Sequence, residues 1–469
     1  MATRGITEDE RQYARALLDR ARTAMKAIEH YDQARVDKLC QAVGWATANE
    51  KTFTRLAHQG VDESGLGDRD GRVAKRFKIV GILRDALRHK SMGVIEEIPA
   101  KGIVKYAKPA GVIVSLIPST NPELTPPGNG IYALKCKDAV IFSPHPMSKQ
   151  TTHEMVRIMR AALKRQGAPE DLFQCVETPS IPLAQELMSI CDLTIATGGM
   201  PMVRAAYSSG KPAYGVGAGN STMVIDETAD IADAARNTRI SKTSDHGSGC
   251  SADGNLVIEH SIYDRFLAQL QQEGGHLATP EQKQLLERAM WDTEGRRTIT
   301  TIARAPQVIA KLAGFEIPAD RKFIIVQQDE IGKGHRFSSE KLSPVLAIFR
   351  YQGFENALDM VRRIYQVGGA GHSCGIYSFD DDHIHRLALV APVSRMMVRQ
   401  PQSKANAGAF NNGMPMTSSL GCGFWGGNIT NENISLRHYM NVTWVSRPIA
   451  EDRPPDSEIF GEFYNTETE

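Results

Sequence analysis

The chain has 469 residues, of which 41% are hydrophobic and 23% charged, and this is apolar material for two or three cores, since single cores stop growing near ~250 to 300 residues. Lys and Arg total 55 against 54 Asp and Glu, a formal net charge of +1 with no basic block, which argues against nucleic acid or an anionic membrane as a partner. No stretch approaches the ~18 apolar residues of a membrane span, and the amino end lacks the basic-then-apolar order of a signal peptide, so a cytoplasmic protein is expected. Seven cysteines, at positions 40, 136, 175, 191, 250, 374 and 422, include no Cys-x-x-Cys pair. Reduced thiols and no metal site are expected.

From Thr7 the apolar residues Ala14, Leu17, Leu18, Ala21, Met25 and Ile28 recur at helical spacing, and helical stretches continue to about His89. Two strand-like runs, 102–107 and 111–117, lie either side of Lys108-Pro109-Ala110. Helices and short apolar strands then alternate: helix 130–137, strand 139–143, helix 150–166, strand 172–176, helix 182–190, strand 193–196. That alternation predicts an α/β protein with a mostly parallel sheet covered by helices. A strand at 223–225 and a helix near 231–238 lead into the loop Asp245-His246-Gly247-Ser248-Gly249-Cys250-Ser251, and a second α/β alternation runs to about Val398. Residues 438–446 read as an edge strand before a Pro-rich acidic tail.

Two glycine-rich segments invite a phosphate-binding reading. Gly215-Val216-Gly217-Ala218-Gly219-Asn220 leads into the strand-like Ser221-Thr222-Met223-Val224-Ile225, whereas a dinucleotide fingerprint must leave a strand and open a helix. Ala196-Thr197-Gly198-Gly199-Met200 has the required order, ending an apolar strand before a helix at 203–208, so Thr197, Gly198 and Gly199 are the better phosphate site. In the loop that ends at Cys250, two glycines flank Ser248 and leave the thiol open to a substrate carbonyl. A buried cysteine near a turn has the same local sequence.

The order Pro109-Ala110-Gly111-Val112-Ile113, Pro118-Ser119-Thr120-Asn121-Pro122, Phe142-Ser143-Pro144-His145-Pro146, Thr197-Gly198-Gly199, Cys250 and Glu340-Lys341-Leu342-Ser343-Pro344-Val345 resembles the aldehyde dehydrogenases from end to end. Ser143-Pro144-His145-Pro146, Gly369-Ala370-Gly371-His372-Ser373 and Gly421-Cys422-Gly423-Phe424-Trp425-Gly426-Gly427-Asn428 resemble the coenzyme A-acylating branch. The resemblance implies a Rossmann-like cofactor domain over residues 1–240, interrupted by a hairpin at 94–110. A catalytic α/β domain would follow over 241–430, and an oligomerisation strand and tail over 431–469. It implies a free-standing enzyme, a homodimer or homotetramer, with NAD(P)+ as cofactor and coenzyme A as co-substrate.

The same resemblance assigns roles. Cys250 is the nucleophile, Asn121 an oxyanion donor with the Cys250 N–H, and His372 a group for proton transfer or for orienting acyl transfer, or else a packing histidine. Pro118, Ser143, His145, Pro146, Thr197, Gly198, Gly199 and Gly217 belong to the cofactor site. Glu340 aligns with the family's ribose-binding Glu. Lys149 could meet an adenosine phosphate or be solvated at a helix start; NAD and NADP both stay open, with NADP favoured. Gly215 stands where hydrolytic members carry the Glu that activates water, so a thiol acceptor is expected to release the thioester.

Departures from the branch point to the substrate. His246, Ser248 and Ser251 place polar groups around the thiol, and Arg399 stands in a segment where relatives commonly carry Asn. Together they suggest a short anionic aldehyde, unless Arg399 pairs with a surface acid. The nearest resemblance is to members acting on sulfoacetaldehyde, then on succinate semialdehyde, with simple short-chain aldehydes as a further possibility. A hydrolytic aldehyde dehydrogenase and a catalytically silent scaffold are the competing classes; the absent Glu argues against the first, and the presence of Cys250, Asn121 and Glu340 against the second.

Overall fold

The computed structural model describes residues 4–466. Its first helix, Glu8–Ala27, starts where Thr7 accepts the Glu10 N–H and the Glu10 carboxylate returns to the Thr7 N–H, a reciprocal cap that satisfies two otherwise free donors. Ala14, Leu17, Ala21 and Ala24 of this helix are buried. With the helices Gln33–Ala48, Glu50–Ser64 and Arg76–Arg88, it supplies apolar residues to one large core built around a five-stranded parallel sheet.

That sheet runs, in spatial order, Phe173–Cys175, Ala139–Ser143, Val112–Leu116, Leu193–Thr197, Ala213–Val216. Every residue of Val112–Leu116 and Ala139–Ser143 is buried, as a parallel strand covered on both faces requires. A second sheet of seven parallel strands runs Gly275–Leu277, Phe323–Gln327, Val345–Tyr351, Asn255–Glu259, Thr222–Ile225, Cys374–Tyr377, Met396–Val398.

The chain therefore passes from one sheet to the other in segment 217–221, ahead of the expected boundary at 240. Thr222–Ile225 aligns in register with Asn255–Ile258 on one side and Cys374–Tyr377 on the other, so its backbone groups are paired in the second sheet. The expected end of the second unit at 430 also shifts in part: Met416, Ile434, Leu436 and Tyr439 pack into the core of the first sheet. Burial of these four residues pulls the segment back across the molecule.

Gly93–Ile98 and Ile103–Pro109 form an antiparallel hairpin, and Met440–Ser446 adds to it as the third strand, from Met440 beside Pro109 to Ser446 beside Ile103. All but the first residue of the last strand are exposed, Trp444 among them. No helix among the described residues is long and apolar enough to cross a membrane.

Candidate functional site

The carboxyl ends of the five-stranded sheet and the amino ends of the second sheet's strands Thr222–Ile225, Asn255–Glu259 and Val345–Tyr351 face one cavity of about 470 Å³. Pro118, Asn121, His145, Thr197, Gly198, Gly199, Gly217 and Glu340 line it together with Ser248, Cys250 and Ser251, so residues spread over more than 200 positions meet there. In the five-stranded sheet, chain order runs outward from Val112–Leu116 on one side and then restarts on the other with Leu193–Thr197. The crevice outside such a reversal is where an open α/β sheet receives a dinucleotide.

The residues present fit that group. The helix Met200–Tyr207 begins at Gly199 without a side-chain cap; Pro201 has no N–H and the Met202 N–H turns back to the Gly199 carbonyl at 3.0 Å, so the Met200 N–H is the one in the first turn open to an anion. Glu340 is held by the Gly219 N–H at 2.9 Å through one oxygen. Its other oxygen has no partner among the described residues, as a ribose-binding carboxylate needs. Burial pushes the Glu340 carboxyl up to about 7.

Three of the expected cofactor residues do not line the cavity. Ser143 is buried and uses its carbonyl to accept the Ile117 N–H at 3.0 Å, while Pro146 opens the single turn Pro146–Ser148. Lys149 starts the helix Lys149–Arg165, whose Gln150 and Thr151 N–H groups already donate to the Glu63 carboxylate at 2.7 and 2.8 Å. The backbone donors of that helix start are occupied, so the Lys149 ammonium itself is the group there that could meet a phosphate.

The loop that leads to Cys250 is strained and heavily braced. Asp245 and His246 both hold φ of 50°, a left-handed conformation that costs a non-glycine residue ~1 to 3 kcal/mol. The buried Asp245 carboxylate explains how it persists. It accepts from the Asp68 N–H at 2.9 Å, Arg72 Nε at 2.9 Å, Lys75 Nζ at 2.6 Å and Ser248 Oγ at 2.6 Å. Burial raises its pKa, but Lys75 and Arg72 outweigh that and hold the group below the usual carboxylate range. Arg72 also pairs with the buried Glu123 at 3.3 Å.

Lys75 ties this network to Asn121, the expected oxyanion donor. Its Nζ donates to Asn121 Oδ1 at 2.7 Å, and because an ammonium can only donate, the atom facing it is the amide oxygen. The Asn121 NH2 is thereby turned the other way. The Cys250 N–H has no hydrogen-bond partner among the described residues and is free to act beside it.

Cys250 Sγ lies 3.0 Å from His372 Nε2. A chain of hydroxyls fixes the histidine tautomer. Ser221 Oγ donates to the Cys250 carbonyl at 3.2 Å, so it must accept from Ser373 Oγ at 2.8 Å. Ser373 Oγ must in turn accept from His372 Nδ1 at 2.9 Å. The proton therefore sits on Nδ1, and the Nε2 lone pair faces the thiol. Burial, aided by the Arg395 cation, pushes His372 down to about 3, and burial pushes the Cys250 thiol up to about 12, so both groups rest neutral.

Glycines let these parts approach. A Cβ on Gly371, at φ +87°, would stand 1.8 Å from the Cys422 carbonyl oxygen, and one on Gly219 2.0 Å from that of Cys250. Arg395 donates to the His372 carbonyl at 2.8 Å and to the Gly421 carbonyl, and so clamps the histidine loop to segment 421–428.

Of the expected substrate groups, Ser248 and Ser251 line the cavity and His246 and Arg399 do not. His246 turns toward Asp68, 4.0 Å from its carboxylate, because the left-handed backbone at 245 and 246 swings the ring away. Arg399 also has positive φ, 52°, and its guanidinium donates to the Ser378 carbonyl and stacks 4.4 Å from the centre of the Phe379 ring. It lines a separate hollow with Asp230 and Asp233.

The expectation at Gly215 also changes its basis. A Cβ there would meet Val203 Cγ1 at 2.5 Å and the Tyr207 ring at 2.8 Å, so position 215 faces the helix Met200–Tyr207 and not the thiol. What remains is a cavity whose lining includes Glu340 as its one carboxylate among the described residues. Lys75, Arg72, Arg395, Ser221, Ser373 and Lys404 went unassigned from sequence. Of these, Ser221 and Ser373 stood inside segments already singled out in the sequence.

The sequence model described as the aldehyde dehydrogenase family matches residues 4–289. Similar proteins include a sulfoacetaldehyde dehydrogenase of an Acholeplasma species, 46% identical over 95% of this chain and 93% of its own length. A sulfoacetaldehyde dehydrogenase (acylating) of Bilophila wadsworthia is 39% identical over 95% of this chain and 97% of its own. Among solved structures, an acetylating aldehyde dehydrogenase from Geobacillus thermoglucosidasius superposes with a TM-score of 0.91 at 35% identity, over 95% of this chain and 99% of that one. The two-sheet architecture, the thiol and histidine at the sheet edges, and identity along nearly the whole length agree: this chain belongs to the aldehyde dehydrogenase family.

Proposed function

We propose that this enzyme is a coenzyme A-acylating aldehyde dehydrogenase that oxidises a short anionic aldehyde, sulfoacetaldehyde first, to its acyl-coenzyme A. The observation that carries the reading is the Cys250–His372 pair, 3.0 Å apart, with Cys250 lining the cavity, His372 buried behind it, and Glu340, engaged by the Gly219 N–H, the one lining carboxylate among the described residues. The names of the two relatives support the substrate.

As Cys250 Sγ attacks the aldehyde carbon, its proton passes to His372 Nε2, whose lone pair the Ser373 and Ser221 hydroxyls have turned toward it. The new S–C bond leaves an oxyanion, which the Asn121 amide and the Cys250 N–H receive. Bound NAD(P)+ supplies the hydride acceptor. Loss of hydride from that carbon gives a thioester on Cys250. Coenzyme A, its thiol proton lost to solvent, then attacks the acyl carbon as thiolate, the Cys250 thiolate leaves and takes its proton back from His372 Nε2, and one thioester replaces another, so little free energy separates the two. Pro118, His145, Thr197, Gly198, Gly199, Gly217 and Glu340 would hold the cofactor.

A homodimer or homotetramer fits the exposed strand Met440–Ser446, whose Val442, Trp444 and Val445 lie open along a sheet edge. The experiment is product analysis with sulfoacetaldehyde, NAD+ or NADP+, and coenzyme A. Acyl-coenzyme A should form, Cys250→Ala should abolish cofactor reduction with cofactor binding intact, and free acid formed at equal rate without coenzyme A would refute the acylating reading.

A further inference from the structure

With Arg399 outside the cavity, the anionic end of the substrate needs another counter-charge, because an unpaired anion in a partly dry site is costly by several kcal/mol. Three ammonium groups line the cavity: Lys75, Lys78 and Lys404. Two are committed. Lys75 donates to Asn121 and Asp245 at 2.7 and 2.6 Å, and Lys78 donates to the carbonyls of Lys404 and Gly408. Lys404 Nζ makes a single hydrogen bond among the described residues, to Ser244 Oγ at 2.9 Å. Two of its three N–H groups are left for a ligand.

The platform under Lys404 is rigid. It sits in the short helix Gln402–Ala405, where the buried Gln402 amide donates to Asp253 at 2.8 Å and to the Thr222 carbonyl at 3.2 Å, and the Ser403 N–H donates to Ser241 Oγ at 3.2 Å. Burial and the Lys75 charge both weigh against the Lys404 cation, while Asp245 and Asp68 favour it. An anion beside Lys404 relieves that repulsion. Lys404 and Ser244 line the same cavity as Cys250 and Asn121.

We propose that Lys404, with Ser244 beside it, receives the anionic group of the aldehyde and sets the preference for anionic over neutral substrates. This rests on the substrate reading above. Sulfonate and carboxylate share the needed chemistry, a delocalised monoanion with several acceptor oxygens, and differ in how far they stand from the carbonyl.

The test compares wild type, Lys404→Met and Lys404→Arg with sulfoacetaldehyde, succinate semialdehyde and propanal. It also measures KM for coenzyme A and NAD(P)+, and inhibition of propanal oxidation by 2-hydroxyethanesulfonate, an unreactive sulfonate. Lys404→Met should lower kcat/KM at least tenfold for the anionic aldehyde that wild type prefers, change propanal less than twofold, leave both KM values unchanged and abolish sulfonate inhibition. Lys404→Arg should restore part of the preference. Equal losses for propanal and the anionic aldehyde would overturn the proposal. So would a raised KM for coenzyme A or NAD(P)+ with aldehyde preference intact, which would assign Lys404 to a phosphate. If wild type favours propanal but 2-hydroxyethanesulfonate inhibits it and Lys404→Met escapes inhibition, the substrate reading fails and the anion site stands. If the sulfonate does not inhibit wild type, the anion site fails.

Discussion

Ser373→Ala isolates the hydroxyl chain that orients the catalytic histidine. In the native site, Ser373 Oγ is the acceptor for His372 Nδ1–H at 2.9 Å and the donor to Ser221 Oγ at 2.8 Å. Removing it leaves a buried N–H unpaired, a penalty of roughly 1 to 3 kcal/mol, which the ring escapes by moving its proton to Nε2. In that tautomer Nε2 can no longer accept the Cys250 proton. A shift of about 1.4 kcal/mol against the competent tautomer is about tenfold in acylation rate, compared with the ~10² to 10⁴-fold expected for removing the base itself by His372→Ala.

Single-turnover formation of reduced cofactor without coenzyme A reads acylation directly, and the pH profile of Cys250 alkylation reads the thiol. We expect Ser373→Ala to slow acylation about tenfold and to move the alkylation profile to higher pH, because burial already holds the thiol up at about 12 and the variant loses an acceptor. In a His372→Ala background, Ser373→Ala should cost less than about twofold. A tenfold loss in both backgrounds would refute the reasoning, since Ser373 would then act independently of His372.

Two further outcomes follow from the braced loop. Lys75→Met frees the Asn121 amide to flip, so kcat for acylation should fall by an amount approaching the ~10² to 10³-fold loss of an oxyanion donor, yet add little to Asn121→Ala; additive losses in the double variant would show that Lys75 does not act through Asn121. Asp245→Asn removes one of the two carboxylates paired with the buried Arg72 and leaves Glu123 alone to balance it, and denaturant unfolding at pH 7 should show a loss approaching ~3 to 5 kcal/mol. Because the folded Asp245 pKa lies below its unfolded value, its contribution is present above the unfolded pKa and lost as pH falls through the folded one. Wild type should therefore lose stability over that acid range and Asp245→Asn less so, and parallel pH profiles for the two would contradict the assignment.

Local physics made the alternation of elements legible. Apolar runs at 139–143 and 193–197 can only be strands buried on both faces, and the helical spacing from Ala14 to Ile28 needs one buried stripe, so the α/β class followed from period alone. Motif order along the chain pointed to Cys250, Asn121, Glu340 and Thr197-Gly198-Gly199 in one cavity; Asn121 and Thr197-Gly198-Gly199 follow strands of the first sheet, Cys250 and Glu340 precede strands of the second, and those two ends meet. Side-chain direction was not legible. Arg399 and His246 were read as pocket groups from their neighbours in sequence, but positive φ at each turns the side chain toward Ser378 and Asp68 instead. Sequence separation also hid the partners that set the chemistry: Lys75 reaches Asn121 and Asp245, Ser221 reaches Ser373, and Lys404 reaches Ser244. A lysine or serine in isolation carries no sign of what it will face. Residue types and their order determined the family and the class of fold and pointed to Cys250 as the proposed nucleophile, whereas the tautomer of His372, the orientation of Asn121 and the cation left free in the cavity depended on long-range packing, where burial forces each donor to find an acceptor.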